Sequence, residues 1–122
     1  MQSRWMIAVA GAVALAGSGA EARFSVARNA RIEAAVAAPG RSADNVKLDA
    51  SRKPAQLLGF LGLRPGMRVA DMFGANHYWA EIFASAVGPR GQVVVWEPTQ
   101  FYGDKAKTDF AAFAASRPNV TL

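Results

Sequence analysis

Apolar and polar residues follow one another with a period that changes along the chain, and each change marks an element. Residues 27–38 are rich in alanine, with Ile32 and Val36 four apart, which predicts a short helix stopped by Pro39-Gly40. Residues 39–51 are polar and turn-rich and predict a loop or irregular arm. Pro54 opens a second helix with Leu57, Leu58 and Leu61 on one side, since the first helical turn has no acceptor for the N–H that proline lacks. Gly62 closes it as a left-handed cap.

Arg64-Pro65-Gly66-Met67 reads as a type II turn, with proline second and glycine third. Met67 to Phe73 then predicts a strand broken by Gly74-Ala75-Asn76. From His77 to Val87 the apolar residues Tyr78, Trp79, Ile82, Phe83, Ala86 and Val87 recur at helical spacing, with Glu81 and Ser85 facing away. Gln92 to Trp96 is apolar and β-branched, the pattern of a strand buried on both faces. Asp104 caps a further helix carrying Ala106, Phe110, Phe113 and Ala114, and Asn119 to Leu122 begins a third strand. Trp79, Phe83, Phe110 and Phe113 are assigned to the core. Strands alternating with helices over short connections imply right-handed crossovers. The fold class is therefore α/β, a Rossmann-like parallel sheet of about three strands with flanking helices.

The amino-terminal segment follows a different logic. Arg4 supplies charge, Met6 to Ala16 is unbroken and apolar, and Ala20-Glu21-Ala22 has the form of a signal-peptide cleavage site. The run is short for a bilayer core of ~30 Å. Residues 1–22 are therefore read as an export signal, 23–53 as a helix and arm, and 54–122 as the α/β domain. The mature chain is expected in the periplasm or secreted. An uncleaved anchor and a first buried helix are the competing accounts.

Composition narrows the chemistry. The absence of cysteine excludes disulfides, thiol catalysis and cysteine-ligated metals. His77 is the single histidine, so no histidine metal cluster or evident hydrolytic triad is available, and it reads as a capping or ligand-facing residue. The net charge is +5, but the bases are dispersed and interleaved with acids. That dispersal predicts a solvated basic surface and no specific nucleic-acid partner.

In open parallel sheets ligands sit beyond the carboxyl ends of strands. Strand one ends at Asp71 and its Gly74-Ala75 loop, and strand two ends at Glu97, 23 residues past Gly74. An acid about twenty residues past such a loop accepts hydrogen bonds from ribose hydroxyls. A solvated strand-end acid is the other reading of Glu97.

These residues carry a resemblance. Arg41-Ser42-Ala43-Asp44, Asp49 with Arg52-Lys53-Pro54, Leu58 to Gly62, Pro65 to Asp71, Tyr78-Trp79 with Glu81, and Val87-Gly88-Pro89 together form its text. The stretch from Ile32 to Glu97 resembles a group of bacterial, often exported, predicted class I S-adenosylmethionine-dependent methyltransferases. The resemblance implies S-adenosylmethionine as cofactor, bound by Asp71, Gly74, Ala75 and Glu97, with Asp71 toward the cofactor's amino group. It implies a methyltransferase-like function, an unspecified methyl acceptor, and the amino-terminal half of a larger fold, as in a truncated gene or sequence fragment. Strand one would then be an open edge through which the chain could self-associate. The glycines of the family's D-x-G-x-G-x-G loop fall here on Phe73, Ala75 and His77. A non-catalytic α/β binding or assembly module is the alternative. A nicotinamide-dependent oxidoreductase ranks lower, because G-x-G-x-x-G is missing.

Overall fold

The computed structural model describes residues 10–122, with side chains of the first helix described from Gly19 onward. The charged start of the expected export signal lies outside the described residues. Helix α1 runs from Ala10 to Val36, starting well before the expected residue 27 because no proline interrupts its alanine-rich sequence until Pro39. It passes through Ala20-Glu21-Ala22, and among its described side chains the buried ones, Ile32 and Ala35, lie after that point. No described helix is long and apolar enough to cross a membrane.

The expected loop at 39–51 is instead largely helical. Helix α2 covers Ala43–Lys47 and α3 covers Asp49–Arg52, with Asp44 and Asp49 in their first turns and Lys47 and Arg52 in their last. That charge order complements each helix dipole, a signal the turn-rich composition masks. Helix α4 spans Pro54–Phe60 and buries Leu58, while Leu57 and Leu61 are exposed rather than inward. Its end is a Schellman motif. Leu63 N–H reaches Leu58 O and Gly62 N–H reaches Gly59 O, and both Leu58 and Leu63 are buried.

The Arg64–Met67 turn forms as expected, with Gly66 at φ 82° and Met67 N–H bonded to Arg64 O. Strand β1 is Arg68–Met72, helix α5 is Tyr78–Val87 and strand β2 is Gln92–Trp96. After a single turn of 3-10 helix at Thr99–Phe101 come α6, Asp104–Ala114, and β3, Val120–Thr121. Asp104 is the first residue of α6 rather than its cap, a place taken by Gly103.

The three strands form one parallel sheet in the order β1-β2-β3. Arg68 through Met72 pair in register with Gln92 through Trp96, and Val93 pairs with Val120. Alternation then fixes two faces. Val69 and Asp71 of β1, Val93 and Val95 of β2 and Val120 of β3 point to a core made with Ile32, Leu58, Ile82 and Val87. Helix α5 packs on β1 and β2, and α1 packs on α4 and α5, so this side is closed. On the other side Ala70, Met72 and Trp96 are exposed and Val94 is half-buried. Strand β2 is thus buried on one face, not two, because no described helix covers the second. The molecule is a mixed α/β structure with an open sheet of Rossmann-like order.

Candidate functional site

Parallel pairing carries both strand-end acids to the same end of the sheet. Asp71 pairs opposite Val95, and the ladder continues past the strands through Phe73 N–H to Trp96 O. Glu97 follows directly, two residues beyond Val95 and so on the helix-covered side, as Asp71 is. Glu97 is close enough to disfavour the charged form of Asp71.

Asp71 is buried and accepts the Ala80 N–H at 3.0 Å. Burial pushes its carboxyl above the ordinary range and Glu97 adds to the rise, while the Ala80 N–H and Arg52 oppose it. Gly74 fits against it closely. A Cβ at this position would stand 2.8 Å from Asp71 Oδ2 and 3.0 Å from Val95 Cγ1, so the carboxylate occupies the space glycine leaves.

The loop between β1 and α5 has an uncommon backbone. Phe73 and His77 adopt left-handed conformations at φ 58° and 54°, where a non-glycine side chain is disfavoured. His77 N–H closes on Gly74 O at 2.7 Å, and its ring stacks on Phe113, with centroids 4.4 Å apart. Burial holds the imidazole below its ordinary pKa, so it is neutral near pH 7. It serves as the cap residue of α5 without a side-chain capping bond.

Between this loop, β2 and α6 lies a notch lined by Gly74, Ala75, His77, Val95, Glu97, Tyr102 and Phe110, among others. Its free volume is about 30 Å³, room for a single water, with Phe101, Tyr102 and Phe110 among the residues that bound it. A nucleoside enters only if the Thr99–Tyr102 segment moves aside. Glu97 Oε2 is buried without a hydrogen-bond partner. Such an orphan acceptor carries a desolvation cost that a hydroxyl donor would remove. That acceptor suits a ribose hydroxyl; the aromatic rings lining the notch set the condition for entry. Larger hollows, about 400 Å³ beside Arg31 and Arg90 and about 430 Å³ beside Arg68 and Asn119, lie at the amino ends of the strands.

A second polar cluster, missed in the sequence as a unit, braces the loop from α2 and α3. Arg41 meets Asp49 through two bonds of 2.8 and 2.9 Å, and its side chain is 3% exposed. Tyr78 Oη donates to Asp49 Oδ1 at 2.7 Å. Glu81, expected to face away, is buried, accepts the Ser42 N–H at 3.0 Å and lies 3.5 Å from Arg41 Nε. Asn45 Nδ2 donates to Asn76 O within the loop itself. Arg41 is thus no part of a solvated basic surface. The signal was present in sequence as acids and bases recurring through 41–52, but nothing local says that they face α5.

Among the described residues no group of three or more histidines and carboxylates could hold a metal ion. In comparisons with known proteins, no family model and no curated sequence matches this chain.

Proposed function

We propose that this protein is a class I methyltransferase-like module that takes S-adenosylmethionine at the carboxyl ends of β1 and β2. One observation carries the reading, the buried and unpartnered Glu97 Oε2 at the tip of β2 beside the β1–α5 loop. An acceptor so placed suits the ribose hydroxyls of a nucleoside. The loop adds support. Two of the three positions where the family's loop has glycine, Phe73 and His77, keep the positive φ that glycine adopts freely. Positive φ at these two positions supports reading the segment as a cofactor-binding loop although the residues are not glycine. Asp71 stands where the cofactor's amino group would be met, with one carboxylate oxygen committed to Ala80.

When bound, S-adenosylmethionine supplies an electrophilic methyl group. The chain's own residues bind and orient it. Glu97 holds the ribose, Asp71 and the Gly74-Ala75 backbone hold the methionyl end, and the aromatic segment 99–102 closes over the purine. Calorimetric titration with S-adenosylhomocysteine tests this. Binding in the micromolar to millimolar range is expected, with Glu97→Ala weaker by tenfold or more, ~1.4 kcal/mol or above. No heat at millimolar ligand would overturn the reading.

A second reading, an assembly module without catalysis, is favoured by the bare sheet face and the open β1 edge. It predicts a stable complex of two copies that is indifferent to the nucleoside.

A further inference from the structure

Arg52 is the last residue of α3, one turn after Asp49. An arginine three residues from an aspartate on a helix would ordinarily pair with it. Here Asp49 already accepts three bonds, from Arg41 on both oxygens and from Tyr78 Oη on one. Arg52 instead lays its guanidinium over the Tyr78 ring, 4.3 Å from the centroid, and has no acidic partner among the described residues. Stacking holds the plane of the fork and leaves its N–H edge free for an anion.

Its place is as telling as its vacancy. Tyr78 is the first residue of α5, directly after the Phe73–His77 loop. The guanidinium is near enough to Asp71 to favour that residue's charged form. Lys53, the next residue, is left-handed at φ 46° and ψ 55°, and precedes Pro54, where helical backbone is disfavoured. With Phe73 and His77 it completes the non-glycine residues of positive φ among those described. Strain of this kind accompanies binding sites.

We infer that Arg52 receives the carboxylate of an amino-acid-bearing nucleoside, while Asp71 receives its ammonium group. A carboxylate suits the bidentate fork of arginine, and Arg52, held on Tyr78 at the end of the loop that follows Asp71, offers the charge opposite to that of Asp71. This inference rests on the proposed function, which supplies the nucleoside, and adds the group that selects its amino-acid end. Nothing in the β1–α5 loop itself provides a cation.

The test compares two probes on the full chain. S-adenosylhomocysteine carries the amino-acid end, and 5′-methylthioadenosine keeps the nucleoside but lacks it. Arg52→Gln, which retains much of the stem, is expected to weaken S-adenosylhomocysteine at least tenfold and to leave 5′-methylthioadenosine within twofold. Arg52→Lys should recover part of the loss, and circular dichroism should be unchanged in both variants. Glu97→Ala should weaken both probes. If both bind the unaltered protein and Arg52→Gln weakens neither, or both equally, the role of Arg52 is overturned and the nucleoside site stands. If neither probe binds, the nucleoside reading fails and the role of Arg52 fails with it.

Discussion

At the scale of single residues, close approach decides more than chemical type. Gly91 shows this best. A Cβ there would lie 2.4 Å from Val87 Cβ and 2.7 Å from Met67 O, where the end of α5, the start of β1 and the entry to β2 converge. Backbone on one side and a buried valine on the other leave little to give way. Gly91→Ala should therefore destabilise the protein by about 2 kcal/mol, within the range for overpacked sites. Urea denaturation would read this as a lower midpoint at constant slope; an unchanged midpoint would mean that the α5–β2 junction is looser than described. In the sequence Gly91 is merely a turn glycine before a strand. Gly74 is similar, since Asp71 and the loop residues were legible as a strand end, but not the carboxylate lying where a Cβ would go.

At the scale of elements, the arm made by α2 and α3 is tied to α5 by charge. Asp49 is the hub, and its hydrogen bonds from Arg41 and Tyr78 hold its carboxyl below the ordinary 3.8. Because the folded state binds this proton less readily than the unfolded one, the stability that Asp49 contributes is present above about pH 4. It is lost as pH falls through the lower folded value. Tyr78 moves the other way, its phenol pushed up to about 12 by burial and by the Asp49 carboxylate. Asp49→Ala leaves the buried Arg41 with Glu81 alone as acidic neighbour and should cost about 3 kcal/mol, at the low end for broken buried pairs because Glu81 remains and Asp49 is 23% exposed. Denaturation at neutral pH and below pH 4 checks both points. The variant should be weaker at neutral pH and should lack the Asp49 share of the acid-induced loss. Equal acid sensitivity in both proteins would remove Asp49 as the hub. The sequence revealed a helix at Pro54 through its proline start and glycine end, and one before Val87 through its apolar periodicity, because both signals are local. It did not reveal α2 and α3, whose short turns depend on pairs formed with α5.

At the scale of the molecule, one layer of helices covers one face of a three-stranded sheet. Parallel sheets are ordinarily covered on both faces. Met72 and Trp96, opposite one another in the β1–β2 register, are 56% and 44% exposed on the uncovered side. The outer edge of β1 adds unpaired backbone groups to this apolar surface. If the second functional reading holds, sedimentation should show a mass that rises toward a dimer with concentration, and Met72→Lys should shift it back. A single monomeric mass at every concentration would remove that reading and leave the nucleoside proposal untouched.

The order of strands and helices from Pro54 onward, the turn at Pro65-Gly66 and the alignment of two strand-end acids followed from the sequence alone. Each depends on local periodicity or on φ preferences, which a chain carries wherever it folds. Tertiary structure decided the rest. It buried Glu81 and Arg41, left Arg52 without an acid, orphaned Glu97 Oε2 and closed aromatic rings over the notch. Those outcomes depend on which distant groups meet in low dielectric, and spacing along a chain does not encode such meetings.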